Sequence, residues 1–191
     1  MAKVLVTGAT GFIGLHCIQQ LLSKGYEVNG TVRSLDREGE IRDGLSASGT
    51  SHSALELFSV DLNSDDGWDE AMSGCEYVLH VASPISLEDQ DEDYFVKPAV
   101  AGVKRALSFA KKHSVKKVVL TSSVAAIFDT MEKKDYYDES DWSDPENPAI
   151  SYYSKSKTLA ERAAWDYVES QGNPFELAVI NPELGTGPTL T

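Results

Sequence analysis

Short apolar runs alternate along the chain with longer segments in which apolar residues recur every three to four positions. Each run is followed by a glycine or a polar residue, and the runs span residues 4–7, 26–32, 55–60, 76–82, 115–121 and 175–180. Nearly continuous apolar runs of this length are typical of parallel strands buried on both faces. The periodic segments between them are typical of crossover helices. The pattern therefore predicts an α/β fold, a doubly wound parallel sheet with helices on both faces.

The order of these elements predicts where ligands bind. With strands and helices alternating, the fourth strand should lie beside the first, on the side opposite to the second. Ligands of doubly wound sheets bind in the crevice between those two strands. Ala82 and Ser83 end the fourth strand at this crevice. His80 lies inside the strand, where we expect a hydrogen-bonded core histidine.

The connections between the strands differ in character. The acidic stretch 86–93 predicts a solvated loop, after which Pro98 should start or kink a long helix. The segment 128–148 is polar, aromatic and acidic. Such a segment either lines a substrate pocket or is only a surface loop, and the pattern leaves both open.

Three glycines follow the first strand at a spacing of three, Gly8, Gly11 and Gly14. Gly8 can take a sharp turn, Gly11 lets the backbone approach a pyrophosphate, and Gly14 lets the next helix lie close to the sheet. The anion would face the N-terminus of that helix, where free N–H groups and the helix dipole favour negative charge. Strand, turn and helix together predict a dinucleotide-binding, Rossmann-type fold.

The end of the second strand indicates which dinucleotide binds. A NAD site usually has an acidic residue there for the ribose 2′-hydroxyl, whereas a 2′-phosphate needs a cation. Arg33 stands at that position and Arg37 lies one short turn further on, so NADP(H) is favoured over NAD(H). Asp61 and Leu62 follow the third strand, where a side chain could meet the adenine. A simple turn-forming role of Asp61 stays open.

Candidate catalytic side chains lie near the ends of later elements. Tyr153 and Lys157 are four positions apart, so on a helix they share one face. A phenol has a reference pKa near 10, and a neighbouring ammonium favours the phenolate and hence proton exchange at neutral pH. Ser123 follows the fifth strand and could hydrogen-bond a carbonyl oxygen as charge develops there. Tyr152 is a weaker candidate, because its fourth neighbour, Ser156, carries no charge.

Composition and charge limit the classes of function. The 191 residues are 41% hydrophobic and 25% charged, enough for one packed core, so we treat 1–191 as one domain. A net charge of −13 argues against nucleic-acid and anionic-membrane partners. Cys17 and Cys75 have no metal-ligand spacing, and buried helix and strand positions account for both. With neither a signal peptide nor a membrane-spanning run expected, we predict a cytoplasmic protein that could form a homodimer.

Five motifs occur in order along the chain: Gly8-x-x-Gly11-x-x-Gly14, Arg33 after the second strand, His80-Val-Ala-Ser83, Thr121-Ser-Ser123 and Tyr153-Ser-Lys-Ser-Lys157. Together they resemble the extended short-chain dehydrogenase/reductase family. Residues 119–129 and 157–165 look like the branch that holds plant dihydroflavonol reductases, cinnamoyl-CoA reductases and yeast methylglyoxal or aldehyde reductases. The resemblance implies an NADPH-dependent reductase of a small carbonyl substrate with a Ser123, Tyr153, Lys157 triad. It also implies that Phe12 and Ile13 belong to the pyrophosphate turn and that Pro182 lies near the nicotinamide.

Three features depart from that family. Its members continue past the strand that ends here in Asn181-Pro182 into a lobe that closes over the substrate. We therefore expect the 191 residues to lack the substrate-binding lobe. Gly185 stands where the family has an apolar residue. Residues 125–128 are apolar where plant dihydroflavonol reductases carry an asparagine, so a flavonoid substrate is not indicated.

Two other functions stay open on the sequence. A nucleotide-sugar epimerase or dehydratase would share the fold, the glycines and the Tyr/Lys pair. Dehydratases of that type have an acidic pair next to the catalytic Ser or Thr, whereas Val124-Ala125-Ala126 follow Ser123, and Arg33 argues against tightly held NAD. A non-catalytic dinucleotide-binding module is the third hypothesis.

Overall fold

The computed structural model describes residues 1–84, 91–131 and 133–190, and in this part of the chain six strands form one sheet. The strands are β1 (Lys3–Thr7), β2 (Glu27–Val32), β3 (Leu55–Ser59), β4 (Tyr77–His80), β5 (Lys117–Thr121) and β6 (Glu176–Ile180). Their order is β3-β2-β1-β4-β5-β6, and every neighbouring pair is parallel. This confirms the doubly wound sheet and places β4 beside β1, as the element order predicts.

Helices connect the strands as crossovers. They are α1 (Phe12–Ser23), α2 (Glu38–Ala47), α3 (Trp68–Met72), α4 (Glu92–Lys112) and α5 (Tyr152–Ser170), with short 3-10 helices at Leu35–Arg37 and Val124–Ala126. The helix expected near Pro98 begins earlier, at Glu92. The Asp91 carboxylate caps it by accepting a hydrogen bond from the Tyr94 N–H at 2.9 Å. Pro98 therefore lies inside α4 and does not start it.

The predicted acidic loop at 86–93 falls partly outside the described residues, which resume at residue 91. Its last acidic residues, Glu92 and Asp93, are helical and form the first turn of α4. Negative charge is favourable there, because the helix dipole is positive at its N-terminus. This part of the loop prediction was wrong, since a capping aspartate converts the end of an acidic run into a helix start.

Two apolar cores lie on opposite faces of the sheet. On β1, Val4 and Val6 pack with residues of α1 and α2, whereas Leu5 between them packs with residues of α3, α4 and α5. Successive side chains of a strand point to opposite faces, so a strand covered by helices on both sides is mostly apolar. This is the physical reason for the continuous apolar runs in the sequence.

The two cysteines are free thiols in different surroundings. Cys17 lies half-buried on α1, and Cys75 is buried in the turn between α3 and β4, so the predicted strand position of Cys75 was wrong. Burial raises the pKa of the Cys75 thiol to about 11, and burial also raises that of Cys17. A raised pKa disfavours the reactive thiolate.

None of the helices in the described ranges is both long and apolar enough to cross a membrane.

Candidate functional site

The glycine turn between β1 and α1 is closed by backbone contacts. Gly8 has a φ of 75°, in the left-handed region, and its carbonyl oxygen accepts a hydrogen bond from the Gly11 N–H at 3.0 Å. A Cβ atom on Gly14 would lie 2.2 Å from that same carbonyl oxygen. A Cβ atom on Gly8 would lie 3.2 Å from the Cα atom of Ala82, at the end of β4. The turn therefore has no room for a side chain at Gly14, and at Gly8 the left-handed φ and the close approach of Ala82 both disfavour one.

The N-terminus of α1 opens from this turn. The helix begins at Phe12, two residues before Gly14, and Gly11 is its N-cap. No side chain of the described residues caps it, so the first N–H groups of the helix are available to an anion. Phe12 and Ile13 are both exposed beside the turn. The turn and helix thus have the features of an anion site.

The segment after β6 returns to the glycine turn. The ring of His16 on α1 lies with its Nε2 atom 3.0 Å from the carbonyl oxygen of Pro188. Thr189 and Leu190 line a cleft of about 80 Å³ together with residues of the turn, among them Gly11 and Phe12. A Cβ atom on Gly185 would lie 3.9 Å from the Phe12 ring, an ordinary contact, so local packing does not require glycine at that position.

The two candidate 2′-phosphate ligands differ in their surroundings. Arg33 directly follows β2 and is exposed, and its guanidinium makes no hydrogen bond or ion pair with any described residue. Arg37 already pairs with Glu40, with Nη2 2.6 Å from Oε2 and Nε 3.1 Å from each carboxylate oxygen. This hydrogen bond raises the pKa of Arg37. Arg33 is therefore the arginine that can turn to a new anion without losing a partner.

Asp61 and Leu62, which follow β3, have structural contacts: Asp61 stabilises a turn and Leu62 packs against α4. The Asp61 carboxylate accepts a hydrogen bond from the Asn63 N–H at 2.7 Å, which is the turn-forming role that the sequence left open. Leu62 is half-buried and packs towards α4, where a Cβ atom on Gly102 would lie 3.1 Å from the Cβ atom of Leu62.

Ser123 sits where β5 runs into the 3-10 helix at Val124–Ala126. It is buried, and as the N-cap of this helix its hydroxyl oxygen accepts a hydrogen bond from the Ala125 N–H at 3.2 Å. The hydroxyl donates a long hydrogen bond of 3.4 Å to the carbonyl oxygen of Pro182. Since that bond is long, the hydroxyl hydrogen can be redirected to a better acceptor at little cost.

Tyr153 and Lys157 meet in the first turns of α5. The helix is capped by the Ser151 hydroxyl, which accepts a hydrogen bond from the Ser154 N–H at 3.0 Å. The Nζ atom of Lys157 lies 5.7 Å from the centre of the Tyr153 ring, a cation–π distance. Tyr153 is partly exposed, whereas Lys157 is buried. Burial lowers the pKa of Lys157 to about 8, an effect that the Glu161 carboxylate opposes.

Asn181, which follows β6, connects the end of β5 with α5 through hydrogen bonds. Its Nδ2 atom donates to the backbone carbonyl oxygen of Ser123 at 3.1 Å and to the Glu161 carboxylate on α5 at 2.8 Å. The Val124 N–H donates to the carbonyl oxygen of Pro182 at 3.0 Å. The sequence analysis missed the roles of Asn181 and Glu161. The one available signal was a glutamate four positions after Lys157.

The segment 128–148 packs against the 3-10 helix that follows Ser123. Ser143 is fully buried; its hydroxyl donates to the carbonyl oxygen of Ala125 at 2.9 Å and accepts from the Asp129 N–H at 2.8 Å. Trp142 lies under the guanidinium of Arg162 on α5, at 5.1 Å. The segment is therefore more than a surface loop, because it braces the 3-10 helix that Ser123 begins.

His80 is a buried, hydrogen-bonded core histidine, as its strand position predicts. The Thr7 hydroxyl oxygen accepts hydrogen bonds from the N–H groups of Val81 and Ala82, each at 3.0 Å. Its own hydrogen is then free to go to the Nδ1 atom of His80, also at 3.0 Å. Burial, helped by the charge of Lys157, lowers the pKa of His80 to about 4. The neutral ring consequently carries its hydrogen on Nε2, which has no partner among the described residues.

Comparisons with known proteins identify relatives of this chain. The family described as NAD dependent epimerase/dehydratase matches residues 4–189. A dihydroflavonol 4-reductase of Gerbera hybrida is 38% identical over 197 residues, which cover 100% of this chain and 53% of the relative. A cinnamoyl-CoA reductase 1 of Petunia hybrida is 38% identical over 193 residues, covering 98% and 55%. The chain thus spans about half the length of these curated relatives.

Solved structures show the same fold. The yeast methylglyoxal/isovaleraldehyde reductase complexed with NADPH superimposes with a TM-score of 0.86 at 33% identity, covering 99% of this chain and 60% of the yeast one. Vestitone reductase from alfalfa gives a TM-score of 0.79 at 33% identity, covering 95% and 56%. A UDP-glucuronic acid 4-epimerase from Bacillus cereus, in complex with NAD, is 22% identical with a TM-score of 0.76 and shares the fold.

Proposed function

The chain belongs to the NAD dependent epimerase/dehydratase family, and we propose that it is an NADPH-dependent reductase of aldehyde or ketone carbonyls. The observation that carries the proposal is the pairing of Tyr153 with the buried ammonium of Lys157. Lys157 lines a cavity with Ala82 and Ser83 at the end of β4 and with Thr121 at the end of β5. The cavity lies at the carboxyl ends of β4 and β5, on the edge of the sheet at which doubly wound sheets bind ligands. The named reductases among the relatives support the same chemistry.

The chain has a fitting set of residues for the cofactor. The pyrophosphate would lie on the glycine turn, where a side chain at Gly14 would be blocked, and on the free N–H groups of α1. Arg33 would bind the 2′-phosphate, and Arg37 could join it by leaving Glu40. The residues that would surround the rest of NADPH are Gly8, Gly11, Phe12, Ile13, Asp61, Leu62, Ala82, Ser83, Tyr153, Lys157 and Pro182. When bound, NADPH supplies the hydride that adds to the carbonyl carbon.

The side chains of the triad would handle the carbonyl oxygen. Tyr153 donates its phenolic proton to that oxygen as negative charge develops on it, which yields the alcohol. The Lys157 ammonium stabilises the phenolate that remains, and its burial strengthens this attraction. Ser123 turns its hydroxyl from Pro182 to the carbonyl oxygen and holds it in place.

The test is consumption of NADPH by the purified protein with a panel of small aldehydes and ketones. We expect Tyr153→Phe to lower the rate on the order of 100-fold or more, the range of general acid catalysis. NADPH affinity should change little, because the variant keeps the aromatic ring. Tyr152→Phe is the matched control, because its ring is the neighbouring phenol on α5 and lacks a lysine four positions on.

The same assay separates the other two functions. Turnover of UDP- or dTDP-sugars without net consumption of NADPH would replace the reductase by an epimerase or dehydratase. NADPH binding with no reaction that depends on Tyr153 would indicate a non-catalytic module.

A further inference from the structure

Glu161 is a buried carboxylate that the triad does not include. It lies on α5, four positions after Lys157, and is 5% exposed. Both side chains line the same small cavity, together with Ser122 at the end of β5. A carboxylate in such a place loses much of its hydration, and this is costly unless other groups compensate for it.

One hydrogen bond, and no close ion pair, compensates the Glu161 carboxylate for its lost hydration. Its Oε2 atom accepts the hydrogen bond from Asn181 at 2.8 Å, and no lysine or arginine of the described residues comes within 4.0 Å of it. The cationic group that shares its cavity is Lys157. At four positions along a helix, the two side chains are neighbours on one face. The Glu161 carboxylate can thus attract the Lys157 ammonium electrostatically without forming a close ion pair with it.

The other described residues around Lys157 do not supply a negative charge. Tyr153 on α5 presents the face of its ring, and α4 contributes the apolar Val103 to the cavity wall. On β4, burial keeps His80 neutral, and Ser122 on the β5 side contributes a hydroxyl group that has no partner among the described residues. Among the residues that line this cavity in the described part of the chain, Glu161 is therefore the carboxylate that accompanies Lys157.

We propose that Glu161 is a positioning residue of the reductase site, whose carboxylate holds Lys157 in its ammonium form. Its hydrogen bond to Asn181, which also holds the Ser123 carbonyl oxygen, fixes the carboxylate relative to the triad. The catalytic meaning of this inference rests on the proposed function, but the charge state of Lys157 can be measured whether or not the protein reduces carbonyls.

The experiment is an NMR titration of the lysine side chains in uniformly ¹³C-labelled protein. The pH at which the Lys157 ¹³Cε resonance titrates is compared between the wild type and Glu161→Gln. Glutamine keeps an oxygen that can accept the Asn181 hydrogen bond and removes only the charge. We expect the midpoint of Lys157 to fall by about one pH unit, because an opposite charge nearby favours the ammonium.

Glu169→Gln is the matched control, since it removes the same charge from the exposed end of α5. It should move the Lys157 midpoint by less than about 0.2 pH unit, because solvent and salt screen it. An unchanged midpoint in Glu161→Gln, or an equal fall in both variants, would overturn the proposal. If Glu161→Gln does not fold, the wild type decides the question. Its Lys157 resonance should then show a second inflection at the pH where the Glu161 ¹³Cδ resonance titrates, and absence of that inflection would overturn the proposal.

Discussion

A Cβ atom on Gly14 would lie 2.2 Å from the carbonyl oxygen of Gly8. Since the blocking atom belongs to the backbone of a tight turn, no side-chain rotation can relieve the contact. The same carbonyl oxygen holds the turn closed through the Gly11 N–H. The helix that would bind the pyrophosphate can therefore approach the turn only if residue 14 has no side chain.

We predict that Gly14→Ala lowers both stability and NADPH affinity. Overpacking of this kind costs about 1–3 kcal/mol, and the displaced helix would lose its alignment with the anion. Gly11→Ala is the control, because its Cβ atom would lie 3.3 Å from the same oxygen and its φ is −81°. It should weaken NADPH binding with a smaller loss of stability. Urea unfolding and NADPH titration measure the two effects, and equal urea midpoints for Gly14→Ala and the wild type would contradict the prediction.

Arg33→Ala should remove the preference for NADPH. A hydrogen-bonded charge pair contributes about 1.5–3 kcal/mol, so NADPH affinity should fall by about 10- to 100-fold while NADH affinity stays unchanged. In Arg37→Ala the fall should be no more than about threefold, since Arg37 must leave Glu40 to reach a phosphate. Calorimetric titration with both cofactors tests this. Equal losses in the two variants would show that Arg37 gives up Glu40 when the cofactor binds.

Ser143→Ala should destabilise the protein by about 1–3 kcal/mol, because the carbonyl oxygen of Ala125 and the N–H of Asp129 would each lose the hydroxyl that they contact. Ser140→Ala is a control from the same segment. That serine is exposed, and its hydroxyl donates a hydrogen bond to the nearby Asp138 carboxylate, so the change should be within about 0.5 kcal/mol. Chemical denaturation of both variants gives the comparison. Similar losses of stability in the two variants would mean that the hydrogen bonds of the Ser143 hydroxyl contribute little to stability.

His80 should make the protein less stable in mild acid. Its pKa is about 4 in the folded state, against a reference pKa of 6.5. Between these two values, His80 binds a proton in the unfolded chain but stays neutral in the folded protein. Stability that is present above pH 6.5 is then lost as the pH falls towards 4, by about 1.5 kcal/mol between pH 6.5 and 5. His80→Asn, whose side-chain oxygen can replace Nδ1 as the acceptor for Thr7, should lack this part of the pH dependence. Parallel slopes of unfolding free energy against pH for the two proteins would refute the assignment.

Local sequence patterns determined the sheet, the shared helical face of Tyr153 and Lys157, and the glycine turn. The alternation of apolar runs and periodic segments defined the parallel sheet and its order, because burial on both faces favours apolar residues along most of a strand. The spacing of Tyr153 and Lys157 placed both on one helical face, since that relationship depends only on helix geometry. The glycine turn followed for the same reason, as a left-handed φ at Gly8 and a lack of space at Gly14 are properties of a few adjacent residues.

Only the tertiary structure decided which distant groups meet. Asn181 reaches Ser123 and Glu161, the Thr7 hydroxyl reaches His80, and Ser143 reaches Ala125. Hydrogen bonds act within about 3 Å and depend on direction, so they form only when the register of the sheet and the seating of helices are complete. Apolar burial has no such directionality, and a sequence can therefore show it residue by residue. The fold could be predicted from the apolar pattern, whereas the polar contacts that hold Lys157 and Ser123 in place could not.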